Sequence, residues 1–159
     1  MDVEWEQRVA EAWSAAGELE DAELVARFEA LAAERPEGDA AALFELAGAH
    51  DSTGDEKGAE VLYRQAMAAG LDDERLPQAV IQFGSTLRNN GRYEESIELI
   101  GDWLIDNHEH EYADAARAFL ALSLVSAGRP VDATKIALDG LLGHMPRYHR
   151  SLRAYIAEL

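Results

Sequence analysis

Four glycines, Gly17, Gly54, Gly91 and Gly128, stand 37 residues apart. A fixed period between about 20 and 50 residues marks a chain built by stacking one small unit on copies of itself. Other columns keep the same period. Small residues stand seven before each glycine (Ala10, Ala47, Gly84, Ala121) and five after it (Ala22, Ala59, Ser96, Ala133). Apolar residues stand eight before (Val9, Leu46, Phe83, Leu120) and eight after (Val25, Leu62, Leu99, Ile136). Two helices approach closely only where both present small side chains, and a glycine between them supplies the left-handed residue that ends the first. The period therefore predicts four copies of helix, tight turn and antiparallel helix. No copy can bury its apolar face alone, so the copies must stack.

With Tyr63 and Ile100 as bulky residues nine after the glycine, this spacing resembles the tetratricopeptide repeat over residues 3–150. Two departures stand out. The period is 37 rather than about 34, which implies longer connections between repeats. The bulky position is also reduced to Ala26 and Ala137 in the outer copies, as befits units that end a stack. The resemblance implies an all-α, right-handed solenoid of helical hairpins in one domain over residues 1–159. Its repeats would cover about 3–39, 40–76, 77–113 and 114–150, with a capping helix over 147–159. The chain is similar to the small stand-alone repeat proteins of bacteria. Leu152, Tyr155, Ile156 and Leu159 make one apolar stripe on the last helix, suited to covering the end of the stack or to docking another copy.

In the family, one stripe of each first helix lines a concave groove where peptides bind. Carried over by position, that stripe holds Glu4, Gln7, Glu11 and Ser14, then Ala41, Phe44, Gly48 and Asp51. The third copy gives Gln78, Ile81, Ser85 and Arg88, and the fourth Ala115, Ala118, Leu122 and Val125. The resemblance thus implies a groove that changes from acidic to apolar along the chain. Phe44, Ile81 and Leu122 would be its apolar anchors, with Asp51, Ser85, Arg88 and Asn89 as polar contacts. The competing expectation is that the last helix folds into the groove and fills its apolar end. The lysine-rich carboxylate clamp of the chaperone-binding members is not expected, because the first helices contain no lysine.

The formal net charge is −17, and it is unevenly spread. Residues 1–39 hold twelve acids and three bases, a net of −9, whereas residues 114–150 hold three acids and five bases, a net of +2. An acidic body repels nucleic acid and anionic membrane surfaces and favours basic or partly apolar protein segments. Self-association is the alternative function, with the acidic end of one copy meeting the basic end of the next. The chain has no cysteine, which excludes disulfides and thiolate metal sites. No apolar run is long enough to span a bilayer and no secretory leader is recognisable, so a cytoplasmic protein is expected.

The remaining constellations are weak. His108-Glu109-His110-Glu111, with His144 and His149, offers metal-ligating side chains, but in a segment that reads as a polar connection. Asp51–Asp55 has its glycine at the wrong place for a calcium loop. No phosphate-binding glycine loop, nucleophile elbow or cofactor motif is present, so neither an enzyme nor a cofactor is expected. Trp5 and Trp13 share one helix face and read as core rather than as a ligand platform. Gly48 and Gly58 fall inside helices, where each costs roughly 1 kcal/mol against alanine, so a close neighbour is expected at each.

Overall fold

A computed structural model describes residues 2–159. Among the described residues there are nine α-helices and no strand. They are α1 (Val3–Ser14), α2 (Asp21–Ala33), α3 (Ala40–Ser52), α4 (Glu56–Ala69), α5 (Arg75–Asn89), α6 (Tyr93–Asp106), α7 (Ala113–Ser126), α8 (Pro130–Leu142) and α9 (His149–Glu158). Aspartates start several of them. Asp2, Asp39 and Asp55 accept from the backbone N–H of Trp5, Ala42 and Gly58, satisfying donors that the first helical turn leaves free. Pro130 occupies the first turn of α8, where its missing N–H costs nothing.

The chain divides into two compact units, Met1–Ala79 and Val80–Leu159, with the boundary inside α5. In the first unit α1 packs on α2, α2 on α3 and α3 on α4. Its core holds Trp5, Val9, Ala12, Leu24, Phe28 and Leu31, with Ala42 and Ala49 of α3 packed against them. Trp13 lies on Phe28 with ring centroids 4.4 Å apart, so both tryptophans of α1 are core residues, as the sequence suggests. In the second unit α6 packs on α7, α7 on α8 and α8 on α9.

Three of the four periodic glycines share one turn. Gly54, Gly91 and Gly128 have φ of 84°, 78° and 77°. Each N–H reaches the carbonyl three residues back, at 3.1, 3.0 and 3.0 Å. The next N–H, of Asp55, Arg92 or Arg129, reaches the carbonyl five back at 2.9, 2.8 and 2.8 Å. This paired closure satisfies carbonyls that the helix end leaves free, and it needs a left-handed residue. Gly17 departs from the expectation. It lies within a single 3₁₀ turn, Ala16–Glu18, and α2 begins three residues after that turn ends. The small columns agree. Ala47, Ala59, Gly84, Ser96 and Ala133 are buried, whereas Ala10 and Ala22 of the first hairpin are exposed. That hairpin instead buries Trp5, Val9 and Ala12, so it carries the period in sequence but packs in a different register.

Candidate partner-binding surface

The stripe on α7 is open. Its 3-4-3 spacing places Ala115, Ala118, Leu122 and Val125 on one helical face, and all four are exposed, Leu122 at 46% and Val125 at 55%. The opposite face of α7 supplies the core with Ala116, Leu120, Ser123 and Leu124. Ser123 Oγ lies 2.7 Å from Ser96 Oγ, which also donates to the Gly84 carbonyl at 2.6 Å. A buried hydroxyl relay thus ties α7 to α6 and α5 and holds the outer face of α7 outward. α9 packs on α8 and leaves Leu122 and Val125 exposed, so it does not fill this part of the expected groove.

The polar members lie at the end of α5. Asn89 is exposed, while Ser85 and Arg88 are half-buried. Arg88 Nη2 donates to Asn89 Oδ1 at 3.0 Å, and Arg88 Nε is buried without a hydrogen-bond partner. A guanidinium N–H kept from water without an acceptor is uncommon. Asp51 of α3 is half-buried.

Two expected anchors are not on the surface. Phe44 is 5% exposed and Ile81 is 8% exposed. Phe44 lies 6.1 Å from the Tyr63 ring, and burial pushes the Tyr63 hydroxyl well above its ordinary value. The physical reason is the composition of these helices. α3 opens with Ala40-Ala41-Ala42-Leu43-Phe44 and has too little contrast between its faces to hold a large aromatic outward. Phe44 and Ile81 are therefore core residues, whereas Leu122 and Val125 of the stripe are exposed.

A buried ionic cluster in the first unit was not visible in the sequence. Arg75 at the start of α5 is almost fully buried, with its ion-paired atoms against Glu45, Glu6 and Asp72. Trp13 Nε1 donates to the second oxygen of Glu45 at 2.7 Å, and the Arg75 guanidinium lies 5.8 Å from the Trp5 ring centroid. Burial pushes the Glu45 carboxyl above its ordinary value against the pull of Trp13 and Arg75. The only signal for it in the sequence is a lone acid within the apolar run of α3.

At the start of α7, His144 Nε2 lies 2.8 Å from Asp114 Oδ2, and Arg117 donates to Asp114 at 2.8 Å and to the His108 carbonyl at 2.9 Å. The hydrogen bond from His144, then that from Arg117, holds the Asp114 carboxyl below its ordinary value. His110 is structural, 5.4 Å from the Trp103 ring and accepting at Nδ1 from the Tyr112 N–H at 3.2 Å. Among the described residues no three His, Cys, Asp or Glu side chains are grouped to hold a metal ion. Among them too, no helix is long and apolar enough to cross a membrane.

Helical hairpins joined by repeated glycine turns, with one helix face left open, define a repeat protein of the helix–turn–helix class. The family model of the tetratrico peptide repeat matches residues 40–159, and the chain belongs to that family. The match begins after the hairpin whose turn and small columns depart from the pattern. No curated protein matches the chain. Repeats of this family are generally protein–protein interaction modules and typically non-catalytic.

Proposed function

We propose that the protein is a non-catalytic adaptor of the cytoplasm that binds a partly apolar peptide segment along α7 and the end of α5. The observation that carries this reading is the exposed row Ala115, Ala118, Leu122 and Val125. Its two bulky members, already about half covered, would each release roughly 1 kcal/mol on full burial. Arg88, half-buried at the end of α5, would offer the outer edge of its guanidinium to a carbonyl of the bound segment. Ser85 and Asn89 would pair with its backbone. Basic residues flanking the apolar contacts suit a body with net charge −17.

The test is selection from a random peptide display library on the folded chain, followed by titration of the enriched peptides. Peptides with an apolar centre and basic flanks should bind the wild type and lose at least tenfold in affinity for Leu122→Ser/Val125→Ser. The variant's thermal unfolding should be unchanged, because both side chains are already exposed. Enrichment of nothing, or binding indifferent to both substitutions, would sink the proposal.

A further inference from the structure

Two features outside the α7 surface complement one another. The turn between α8 and α9 carries Tyr148, whose φ of 77° makes it the one non-glycine with positive φ among the described residues. A bulky side chain is disfavoured in that conformation, so an outlier of this kind asks for a reason. The Tyr148 ring is 65% exposed, with the Arg147 guanidinium 5.8 Å from its centroid. Arg147 and Arg150 flank the ring on the surface, and neither carries an ion pair among the described residues. Together they form an aromatic knob between two cations.

The first unit holds a matching recess of about 390 Å³ between the end of α2, residues 34–39 and the start of α3. Ala32, Pro36, Leu43 and Leu46 give it an apolar floor, and the exposed carboxylates of Glu29 and Glu37 stand at its rim. Neither carboxylate has an ion pair among the described residues. Its other charged members, Arg35 and Asp39, satisfy each other at 2.9 Å.

We infer that Tyr148 of one copy seats in the α2–α3 recess of a second copy, with Arg147 and Arg150 meeting Glu29 and Glu37, so that copies join head to tail. The phenol ring would cover the apolar floor and leave its hydroxyl at the polar rim. The occupant is a second copy because of the signs of charge. Knob against knob sets arginines on arginines, and recess against recess sets glutamates on glutamates. Only knob against recess brings opposite charges together, and the wider charge follows, with net −9 over residues 1–39 and +2 over residues 114–150. Two different complementary patches make a heterologous contact, which leaves a free knob and a free recess after each addition and so extends with concentration. This inference does not rest on the α7 surface, and blocking that surface leaves it intact.

Sedimentation of the full chain from dilute to near-millimolar concentration tests it. The mean mass of the wild type should climb above 17.5 kDa as concentration rises. It should fall back in about 1 M salt, where charges are screened within about 3 Å. Tyr148→Gly suits the positive φ and should keep the helical content and melting of the wild type, yet stay at single-chain mass. Arg147→Glu/Arg150→Glu and Glu29→Arg/Glu37→Arg should each stay single alone. Mixing the two should restore association, because every reversed surface then meets its opposite. A wild type at single-chain mass throughout overturns the inference. So does association that survives Tyr148→Gly, or reversed variants that fail to recover on mixing.

Discussion

Arg75 Nε donates to Glu45 Oε1 at 3.0 Å in the interior of the first unit, joining the start of α5 to the middle of α3. The other Glu45 oxygen is taken by Trp13, so one carboxylate links three helices, α1, α3 and α5. Removing one side of a buried ion pair costs roughly 3–5 kcal/mol because it strands the other charge. Glu45→Ala is expected near the lower end, about 3 kcal/mol, since Arg75 keeps Glu6 and Asp72. Glu45→Gln keeps an acceptor for Trp13 and should cost less. The sign of its pH dependence follows from burial, which raises the Glu45 carboxyl in the folded state. That contribution favours folding below the ordinary value of 4.5 and is lost as pH rises through the folded value. Urea unfolding at pH 4 and pH 7 should therefore show the wild type losing ground to Glu45→Gln at the higher pH.

Asp39 gives the opposite sign. Burial acts to raise its carboxyl, but the Ala42 N–H and the Arg35 guanidinium outweigh it and hold the group below its ordinary value of 3.8. An acid lowered on folding contributes stability above its unfolded value and loses it as pH falls through the folded value. Asp39→Ala should cost about 1 kcal/mol at neutral pH, the usual loss for an N-cap. The difference from wild type should shrink as pH falls below the ordinary value of 3.8 and through the lower folded one, where the native carboxyl takes up its proton. Thermal unfolding of both proteins across that range measures it.

What could be read from the sequence tracks a physical distinction. Gly54, Gly91 and Gly128 were legible because a left-handed turn leaves glycine little competition, and the small columns around them repeat for the same steric reason. Gly17 keeps the period without the geometry, and its 3₁₀ turn and the exposure of Ala10 and Ala22 set it apart from the others. On α7, the exposure of Leu122 was legible because the helix has a clear buried face opposite it. Phe44 and Ile81 were misplaced because neighbouring stripes differ by a fraction of a turn, and bulky side chains between them settle inward. Glu45 and Arg75 could not be paired from sequence, since nothing local says that two charged residues 30 apart will meet in a core.

Gly58 in the first turn of α4 has a reason other than helix propensity. A Cβ there would overlap Asp55 Oδ2, the carboxylate that caps α4 and lies 2.9 Å from His50 Nδ1. Glycine to alanine inside a helix ordinarily gains up to about 1 kcal/mol. Gly58→Ala should instead lose up to about 1 kcal/mol net, because the capping carboxylate must leave and a lost cap costs up to about 2 kcal/mol against the propensity gain. In an Asp55→Ala background the cap is already absent, and the same substitution should turn neutral or stabilising. A double-mutant cycle by denaturant unfolding reads the change of sign.

Gly84 of α5 lies directly against Ile100 of α6 in the second unit. A Cβ at this position would lie 2.5 Å from Ile100 Cδ1 and 2.7 Å from Ile100 Cγ1. Beside that contact Ser96 Oγ donates to the Gly84 carbonyl, and through it the relay reaches Ser123. Gly84→Ala therefore pushes against a fully buried side chain and strains a buried hydroxyl pair at once. Overpacking of this kind costs typically 1–3 kcal/mol, against the roughly 1 kcal/mol that alanine gains in helix propensity. A net loss of about 1–2 kcal/mol is expected, since the packing cost is the larger of the two. Gly84→Ala/Ile100→Val, which takes away Cδ1 but keeps the carbon at Cγ1, should recover part of that loss, although Ile100→Val alone should destabilise by about 1 kcal/mol. If the double variant were instead less stable than either single one, Gly84 would not be where the helix spacing is set.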